Sequence, residues 1–469
     1  MDNISKKKLT LKGKIGYGLG DFGGCMTFTL MGSIFTAYCT DALGINTTLL
    51  GTLLLIWNIW DFINDPLMGG LMDKSFAKNR NPRGKFRPWL LRSAPLICIT
   101  FIALWCVPQF FEGLALVCVL IVLKICYEAT YTMFNIPMGS LLSAMSRNDE
   151  ERASLSSWRG IGSGIGNAIP SVLAPFFIKK YGDTSATGYA IAAIICASIG
   201  LVMCLLHYYL TEERVVVEED SNKENIKITD ILNVFKVNRP FVALCLHGLF
   251  ICLMQYSAST LGLYMYKDVL GDETLMSMAT IVSAPFMGVI FVFGSKLAKK
   301  FGLERMIRVS VLAGSLLYIS LFIVQIIFTI NPWVYIIWSG IAMGMASVAI
   351  YLQWGLVGEA IDYNEMITGK RTEGSIYGTF NLSRRVGQTI ATSLAVYALG
   401  WFNYDGKLDV QPNSAIFGIK MLCVLLPGIF ALGSYFAFKF VWNLNDKKRK
   451  EISEFKNEEK VEEINDENN

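Results

Sequence analysis

Charged side chains are scarce in this chain. Only 17% of its 469 residues are Asp, Glu, Lys or Arg, whereas soluble globular proteins carry about 25%. Residues 241–266 and 311–330 contain none of the four, and a helix of about 20 such residues crosses a bilayer core. The scarcity excludes a soluble enzyme, a disordered chain and a nucleic-acid-binding protein. It predicts an all-α protein that crosses a lipid bilayer many times.

Sequence patterns for metals, disulfides and nucleotides are also lacking. The eleven cysteines lie in apolar segments and none forms a CxxC pair, so we expect them to pack as small apolar side chains. The sequence has no GxxxxGK[ST] phosphate-binding loop, which argues against an ATP-driven machine. We therefore expect no metal centre, no cofactor and no enzymatic activity.

Twelve apolar stretches are present, and each predicts a transmembrane helix. Lys and Arg concentrate at the N-terminus, in the even-numbered connections and after the last stretch. The positive-inside rule then places both termini in the cytoplasm and the protein in the cell membrane. The predicted helices are 15–40, 47–72, 88–107, 112–145, 153–178, 186–211, 240–266, 274–300, 305–330, 332–364, 374–401 and 414–443.

The longest polar segment inside the chain follows the sixth predicted helix. It divides the sequence into a six-helix bundle at 1–211, a cytoplasmic linker at 212–239 and a second six-helix bundle at 240–443. Similar short loops at 69–74 and 294–300 follow corresponding helices, as in transporters built from two repeated halves, although ordinary positive-inside loops would look alike. Residues 444–469 are mostly Glu, Lys and Asn, a composition that predicts a disordered tail.

Two carboxylates lie four residues apart in the second predicted helix. Asp61 and Asp65 therefore share one helix face, and like charges this close repel unless a cation or proton lies between them. Solvation at the cytoplasmic end of the helix is the alternative. However, Asp65 precedes the loop residue Asp73 by eight positions, or ~12 Å of helix. That depth favours a coupling-ion site.

The fourth predicted helix carries a second polar stripe. Glu128, Thr132 and Asn135 lie on one helix face, and their oxygen atoms suit Na⁺ or a proton relay. Lys124 continues the stripe by one turn, so an ion pair between Lys124 and Glu128 is the alternative to a cation site.

Further polar residues in the apolar stretches have the chemistry of a carbohydrate site. Asp21 in the first helix is an isolated intramembrane acid, and Arg159 in the fifth either lines a cavity or extends to the interface. Of the consecutive Arg384 and Arg385, at most one lines a cavity comfortably. Charged groups form paired hydrogen bonds with sugar hydroxyls, and aromatic rings stack on sugar C–H faces. The tenth predicted helix adds Gln353, Trp354, Glu359, Asp362 and Tyr363.

Six sequence segments carry a family resemblance that covers about residues 14–442. Together they resemble the glycoside–pentoside–hexuronide:cation symporters, a branch of the major facilitator superfamily that includes melibiose permease. The resemblance implies the twelve-helix major facilitator fold and cation-driven sugar uptake by alternating access. The segments are Gly-Tyr-Gly-Leu-Gly-Asp at 16–21, Tyr-Cys-Thr-Asp at 38–41, residues 60–69, Gly-Lys-Phe-Arg-Pro-Trp at 84–89, Tyr-Thr-Met-Phe-Asn-Ile-Pro at 131–137, and residues 362–371.

The resemblance also implies roles for individual residues, which complete the candidate site. Asp61, Asp65 and Thr132 match the family's cation site, to which we add Asn135 and Glu128. Arg159 matches a sugar-contacting arginine, and Arg385 a lysine near the site. The remaining substrate-site candidates are Asp21, Cys25, Tyr131 and Trp354, and those for cytoplasmic gating are Asp73, Arg87, Asp362, Lys370 and Arg371.

The chain departs from melibiose permease at two carboxylates, which are replaced here by Cys25 and Asn135. With less negative charge at the cation site, we expect H⁺ rather than Na⁺ to drive transport. The expected partners are a small sugar, the coupling cation and the lipid bilayer, with no nucleic acid and a monomer as the working unit. An uncoupled sugar facilitator and a non-transporting membrane sugar sensor are the alternatives.

Overall fold

The computed structural model describes residues 9–78, 84–146, 149–214, 235–283, 285, 300–368, 373–408, 410–445, 447–452 and 454–455. Within these ranges the regular structure is helical, with no strand. The main helices are α1 (Leu11–Ser33), α2 (Thr47–Lys78), α3 (Arg87–Cys106), α4 (Gly113–Met145), α5 (Asp149–Tyr181), α6 (Ala186–Leu210), α7 (Arg239–Thr260), α8 (Thr274–Ser283), α9 (Leu303–Ile327), α10 (Pro332–Thr368), α11 (Glu373–Trp401) and α12 (Asn413–Val441).

Helices of membrane-spanning length account for most of the described chain. By length and composition, α3 to α7, α9, α10 and α12 can each cross a bilayer, and α1 forms a ninth candidate with the segment Phe35–Ala42, which is bent from it by 50°. Every predicted stretch contains a helix, although the eighth is described as a continuous helix only over Thr274–Ser283. The all-α multi-pass architecture is confirmed, and the exact number of twelve spans stays a prediction.

Close contact between α1 and α5 depends on glycine. A Cβ added to Gly162 would lie 1.9 Å from the carbonyl oxygen of Gly18, and one added to Gly18 would lie 2.5 Å from that of Trp158. Small residues allow helix backbones to approach in this way. As a result, the polar side chains of α1 lie within hydrogen-bonding distance of those of α5.

The first of two compact units contains Met1–Asp220, Ser259–Ile281 and Thr392–Ile419. Its core includes a cluster of aromatic side chains beyond the bend in α1, where Trp105 lies 4.9 Å from Tyr38 and 5.7 Å from Phe35, measured between ring centroids. This unit includes segments from both halves of the sequence, and the division at 211 and 240 into two six-helix bundles stays a prediction.

A buried charge cluster, which we call the Lys267 cluster, lies next to these aromatic residues. Lys267 Nζ lies 2.5 Å from Asp41 Oδ2, 3.0 Å from Asp183 Oδ2 and 3.6 Å from Asp268 Oδ1. The hydroxyl of Tyr404 donates to Asp41 and lies 3.3 Å from Asp268 Oδ2. Because buried charges are costly unless paired, this arrangement explains how charged residues near the ends of two spans are accommodated.

The second unit contains Ser221–Ala258, Val282–Ala391 and Lys420–Asn469. Its core packs apolar residues of α7, α9, α10, α11 and α12 together, including Phe241, Val311 and Phe380. One polar contact in this unit is a hydrogen bond between His247 Nδ1 and Ser434 Oγ at 2.7 Å.

The beginning of the predicted disordered tail is helical in the structure, at 447–452. Arg449 Nη2 lies 3.1 Å from Glu359 Oε2 of α10, and Ile452 is buried with Leu444 and Tyr363. The prediction of disorder from residue 444 was therefore wrong for this part, because Ile452 and the basic residues find partners on α10. The structure does not describe residues 456–469, so the rest of that prediction lies outside the described residues.

Candidate functional site in helices 1, 2, 4 and 5

Three side-chain pairs join α1 to α5 at regular intervals. Arg159 Nε donates to Asp21 Oδ2 at 2.9 Å, Cys25 Sγ lies 3.4 Å from Ser163 Oγ, and Thr29 Oγ1 donates to Asn167 Oδ1 at 2.6 Å. We call these the three α1–α5 pairs. Each is one helical turn beyond the previous one, because both helices advance by four residues and positions i and i+4 share a face.

The Asp21–Arg159 pair gives the site both a donor and an acceptor. The Arg159 side chain is 38% exposed and that of Asp21 16%, so the pair is only partly buried. Arg159 is thus paired with the isolated acid of α1, a partner that its sequence position did not indicate. With Nε directed at Asp21, the outer edge of the guanidinium can still donate two parallel hydrogen bonds.

Aromatic side chains adjoin the α1–α5 pairs. The rings of Phe28 and Tyr131 stack with a centroid distance of 5.5 Å. A Cβ added to Gly24 of α1 would lie 3.9 Å from Cε2 of Tyr131. The structure thus brings together four of the predicted substrate residues, namely Asp21, Cys25, Tyr131 and Arg159.

The candidate cation site between α2 and α4 contains a residue that the sequence analysis missed. Asn64 is buried, and its Nδ2 donates to Thr132 Oγ1 at 2.8 Å and to the carbonyl oxygen of Glu128 at 3.3 Å. Asn64 lies three residues after Asp61, whose side chain is half-buried, and directly before Asp65. A single amide next to two acids forms no sequence pattern that predicts a site. In the structure, however, Asn64 connects α2 with α4.

The acidic candidates of α2 and α4 have different surroundings. Glu128 forms an ion pair with Lys124, whose ammonium lies 5.6 Å from the ring centroid of Tyr127. This is the alternative that the sequence left open, and it occupies one oxygen of Glu128. Asn135 is exposed. The side chain of Asp65 lies outside the described residues, so its closeness to Asp61 stays a prediction.

In the second unit, Arg384 of the consecutive arginine pair lies over the ring of Trp354. The guanidinium carbon of Arg384 lies 5.1 Å from the Trp354 ring centroid, and Trp354 also meets Phe380 edge-on at 5.4 Å. Arg385 is half-buried. The predicted substrate residues Trp354 and Arg385 are both on helices of this unit, and their role in binding stays a prediction.

Comparison with known proteins identifies the family. The sequence profile described as MFS/sugar transport protein matches residues 16–446. This chain belongs to that family. The chain is 30% identical over 450 residues to the uncharacterized symporter YjmB of Bacillus subtilis (strain 168), with 96% of this chain and 95% of the relative covered. It is 28% identical over 475 residues to the glucuronide carrier protein homolog of Escherichia coli (strain K12), with 97% of each covered.

The fold of this MFS sugar transporter is also found among solved structures. A D-xylose–proton symporter superposes with a TM-score of 0.61 at 14% sequence identity, covering 91% of this chain and 96% of that one. The predicted major facilitator fold and the symporter family resemblance are confirmed. The protein is a multi-pass membrane transporter rather than an enzyme.

The gating candidates of this transporter are only partly described. The carboxylate of Glu213 accepts the backbone N–H groups of Lys85, Phe86 and Arg87, all at 2.8–2.9 Å, and the Arg87 guanidinium lies 4.8 Å from the Tyr208 ring centroid. Asp362 is half-buried on α10. The side chain of Asp73 and the residues Lys370 and Arg371 lie outside the described residues.

Proposed function

We propose that this MFS sugar transporter is a cation-coupled symporter of a glycoside, pentoside or hexuronide that works by alternating access. The observation that carries the proposal is the partly exposed Asp21–Arg159 ion pair at the start of the three α1–α5 pairs. Charged groups inside a membrane protein are costly and generally mark a substrate or ion pathway.

The chemistry of the pair suits a sugar. Asp21 accepts hydrogen bonds from hydroxyl groups, while the free edge of Arg159 donates two, so adjacent hydroxyls or a carboxylate fit equally well. The name of one relative, a glucuronide carrier homolog, supports the same class of substrate, and that of another, a symporter, supports coupled transport.

Coupling is proposed to depend on α2 and α4. Asp61 lies one turn before Asp65, and the buried Asn64 bonds Thr132, so the two helices offer carboxylate, amide and hydroxyl oxygens. Such oxygens bind hard cations or share a proton. With Glu128 paired to Lys124 and Asn135 in place of a carboxylate, we propose H⁺ as the coupling ion and Na⁺ as the alternative.

The test is uptake of radiolabelled D-glucuronate, 4-nitrophenyl β-D-glucuronide and 4-nitrophenyl β-D-glucoside into proteoliposomes. Accumulation of one of them above the external concentration, driven by an inward pH gradient and abolished by a protonophore, is the expected result. Equilibration without accumulation under either a pH gradient or a Na⁺ gradient would indicate the uncoupled facilitator. Binding of a sugar without any uptake would indicate the sensor, and no binding or uptake would contradict the proposal.

A further inference from the structure

Two of the three α1–α5 pairs have no place in the cation site or the Asp21–Arg159 pair. They contain Thr29, Ser163 and Asn167, none of which the sequence analysis selected. Thr29 lies eight residues after Asp21, and Asn167 eight after Arg159, so the polar face extends ~12 Å along both helices. A single pyranose ring bound at Asp21 and Arg159 would leave the far end of this face uncontacted.

The amide of Asn167 is fixed by its neighbours. Thr29 Oγ1 donates to Asn167 Oδ1 at 2.6 Å, and Asn167 Nδ2 donates to Ser163 Oγ at 3.3 Å. Ser163 in turn contacts Cys25 Sγ. These contacts set which side of the amide carries the nitrogen. An amide nitrogen has two N–H groups, so one is left to donate to a ligand while the hydroxyl of Thr29 keeps acceptor capacity.

The surroundings of Asn167 indicate water rather than lipid. Asn167 is exposed and lies near the middle of the candidate span Ser154–Tyr181. An amide that faced lipid at this depth would leave polar atoms unsatisfied at a cost of several kcal/mol. An exposed Asn bonded to a Thr and a Ser of the same face therefore lines an aqueous cavity.

The two ends of the face differ in charge and hence in what they recognise. The Asp21–Arg159 end is ionic and suits a diol or carboxylate. The Thr29–Asn167 end is neutral and suits a single hydroxyl, ring oxygen or nitro group. Phe28, which stacks on Tyr131, directly precedes Thr29 on α1. The face thus fits a sugar ring joined to a second polar or aromatic group.

We propose that Asn167, held by Thr29 and Ser163, is a specificity-determining residue that binds the second part of a glycoside whose sugar ring lies at Asp21 and Arg159. The preferred substrate is then a glycoside, with an aglycone or second ring, rather than the corresponding free sugar. This inference rests on the proposed function and narrows its substrate class.

The test compares two matched ligand pairs: 4-nitrophenyl β-D-glucuronide with D-glucuronate, and 4-nitrophenyl β-D-glucoside with D-glucose. Affinities of purified protein are measured for each ligand by calorimetry, and the glycoside-to-sugar preference is calculated. In Asn167→Ala we expect this preference to fall about three- to tenfold, the value of one hydrogen bond, with free-sugar affinity little changed. Thr29→Val should act in the same direction, because the amide loses its hydroxyl partner.

Two controls separate this effect from general damage. Thr100→Val removes a similar hydroxyl contact, between Thr100 and Thr130 at 2.9 Å, away from the α1–α5 pairs, and should leave the preference unchanged. Arg159→Lys should weaken both members of each ligand pair alike.

The outcomes that oppose the proposal are distinct. If Asn167→Ala and Thr29→Val bind with an unchanged preference, or if the unsubstituted protein prefers the free sugars, the inference is wrong while the proposed function stands. If the unsubstituted protein binds none of the four ligands and transports none of them, the proposed function itself is contradicted.

Discussion

At the scale of single residues, Arg159 shows how one side chain can serve both structure and recognition. Its Nε is used by Asp21, and the pair joins two helices whose backbones approach through glycine. The pair uses Nε, and the guanidinium has two further nitrogens that carry N–H donors. A substitution that keeps the charge but changes the geometry separates these two contributions.

Arg159→Lys is therefore expected to weaken sugar binding by about tenfold or more, the value of a charge-assisted hydrogen bond. Lysine has no planar guanidinium, so it cannot keep the ion pair with Asp21 and also donate two parallel hydrogen bonds to a ligand. The measurement is ligand affinity by calorimetry, with thermal stability recorded for the same sample. Unchanged affinity would show that Arg159 serves only to pair with Asp21.

Gly84 and Glu213 form a second residue-scale arrangement, at the start of α3. Gly84 has a φ of +99°, a backbone angle that residues with a Cβ rarely adopt. A Cβ added there would also lie 2.3 Å from the carboxyl carbon of Glu213. Glu213 accepts hydrogen bonds from the N–H groups of Lys85 and Phe86, just before α3, and of Arg87, its first residue, where a helix has unpaired donors and a positive dipole end.

Glu213→Gln should lower the free energy of unfolding by about 1–2 kcal/mol, as loss of a helix cap does, and Gly84→Ala should destabilise at least as much. Thermal unfolding in detergent measures both. The adjacent Glu212 is exposed, so Glu212→Gln is the matched control. Equal effects of the Glu212 and Glu213 substitutions would contradict this account of the α3 start.

At the scale of helices, hydropathy alone predicts most of the architecture. The stretch predicted at 88–107 is observed at Arg87–Cys106, and that at 186–211 at Ala186–Leu210. The agreement has a physical cause, because a bilayer requires backbone polar groups to be satisfied within each apolar segment. The tail helix at 447–452 was missed because its stability comes from contacts with α10 rather than from its own composition.

The pairing of side chains between helices could not be predicted in the same way. Asp21 and Arg159 were selected separately, since both are charges inside apolar stretches. That they meet depends on the glycine contacts of α1 with α5, which place residues 138 positions apart in sequence side by side. Asn64 was missed because its importance comes from Thr132 on another helix.

The Lys267 cluster gives a pH-dependent prediction at the level of packed segments. Asp268 lies beyond α7, and burial raises its pKa to about 7 in spite of the neighbouring Lys267. Its other charged or titratable neighbours are Asp41, Asp183 and Tyr404. A carboxyl whose pKa is higher in the folded protein contributes stability at low pH, and this contribution is lost as the pH rises from about 4 to about 7.

We therefore expect Asp268→Asn to reduce the fall in thermal stability between pH 4 and pH 7 relative to the unsubstituted protein. Asp272 provides a control of opposite sign, because hydrogen bonds from Lys179 and Thr274 lower its pKa. Its contribution is present at neutral pH and is lost on acidification. If Asp268→Asn and Asp272→Asn changed the pH profile in the same direction, the burial of Asp268 would not be the cause.

For the molecule as a whole, the proposed symport requires that movement of the sugar is linked to movement of an ion. Asp21, Cys25 and Arg159, three of the candidate sugar residues, lie on α1 and α5, and the candidate ion residues lie on α2 and α4, all within the first compact unit. Tyr127 and Tyr131 of α4 are 6.0 Å apart between ring centroids, and Tyr131 stacks on Phe28 of α1. A continuous set of packed side chains thus runs from the helix that carries Glu128 and Thr132 to the helix that carries Asp21.

The final prediction concerns the coupling ion. Asp61→Asn should abolish accumulation against a gradient, because neutralising one carboxylate removes the repulsion that a bound proton or cation relieves, while exchange of sugar down its gradient continues. Transport by the unsubstituted protein should proceed in Na⁺-free buffer with an imposed pH gradient, and added Na⁺ should stimulate it little. Asn135→Asp restores a third carboxylate at a position that is exposed in the structure, and should increase stimulation by Na⁺. Strict dependence of the unsubstituted protein on Na⁺ would show that Asp61 and Asp65, with the oxygens of Asn64, Thr132 and Asn135, suffice to hold that ion.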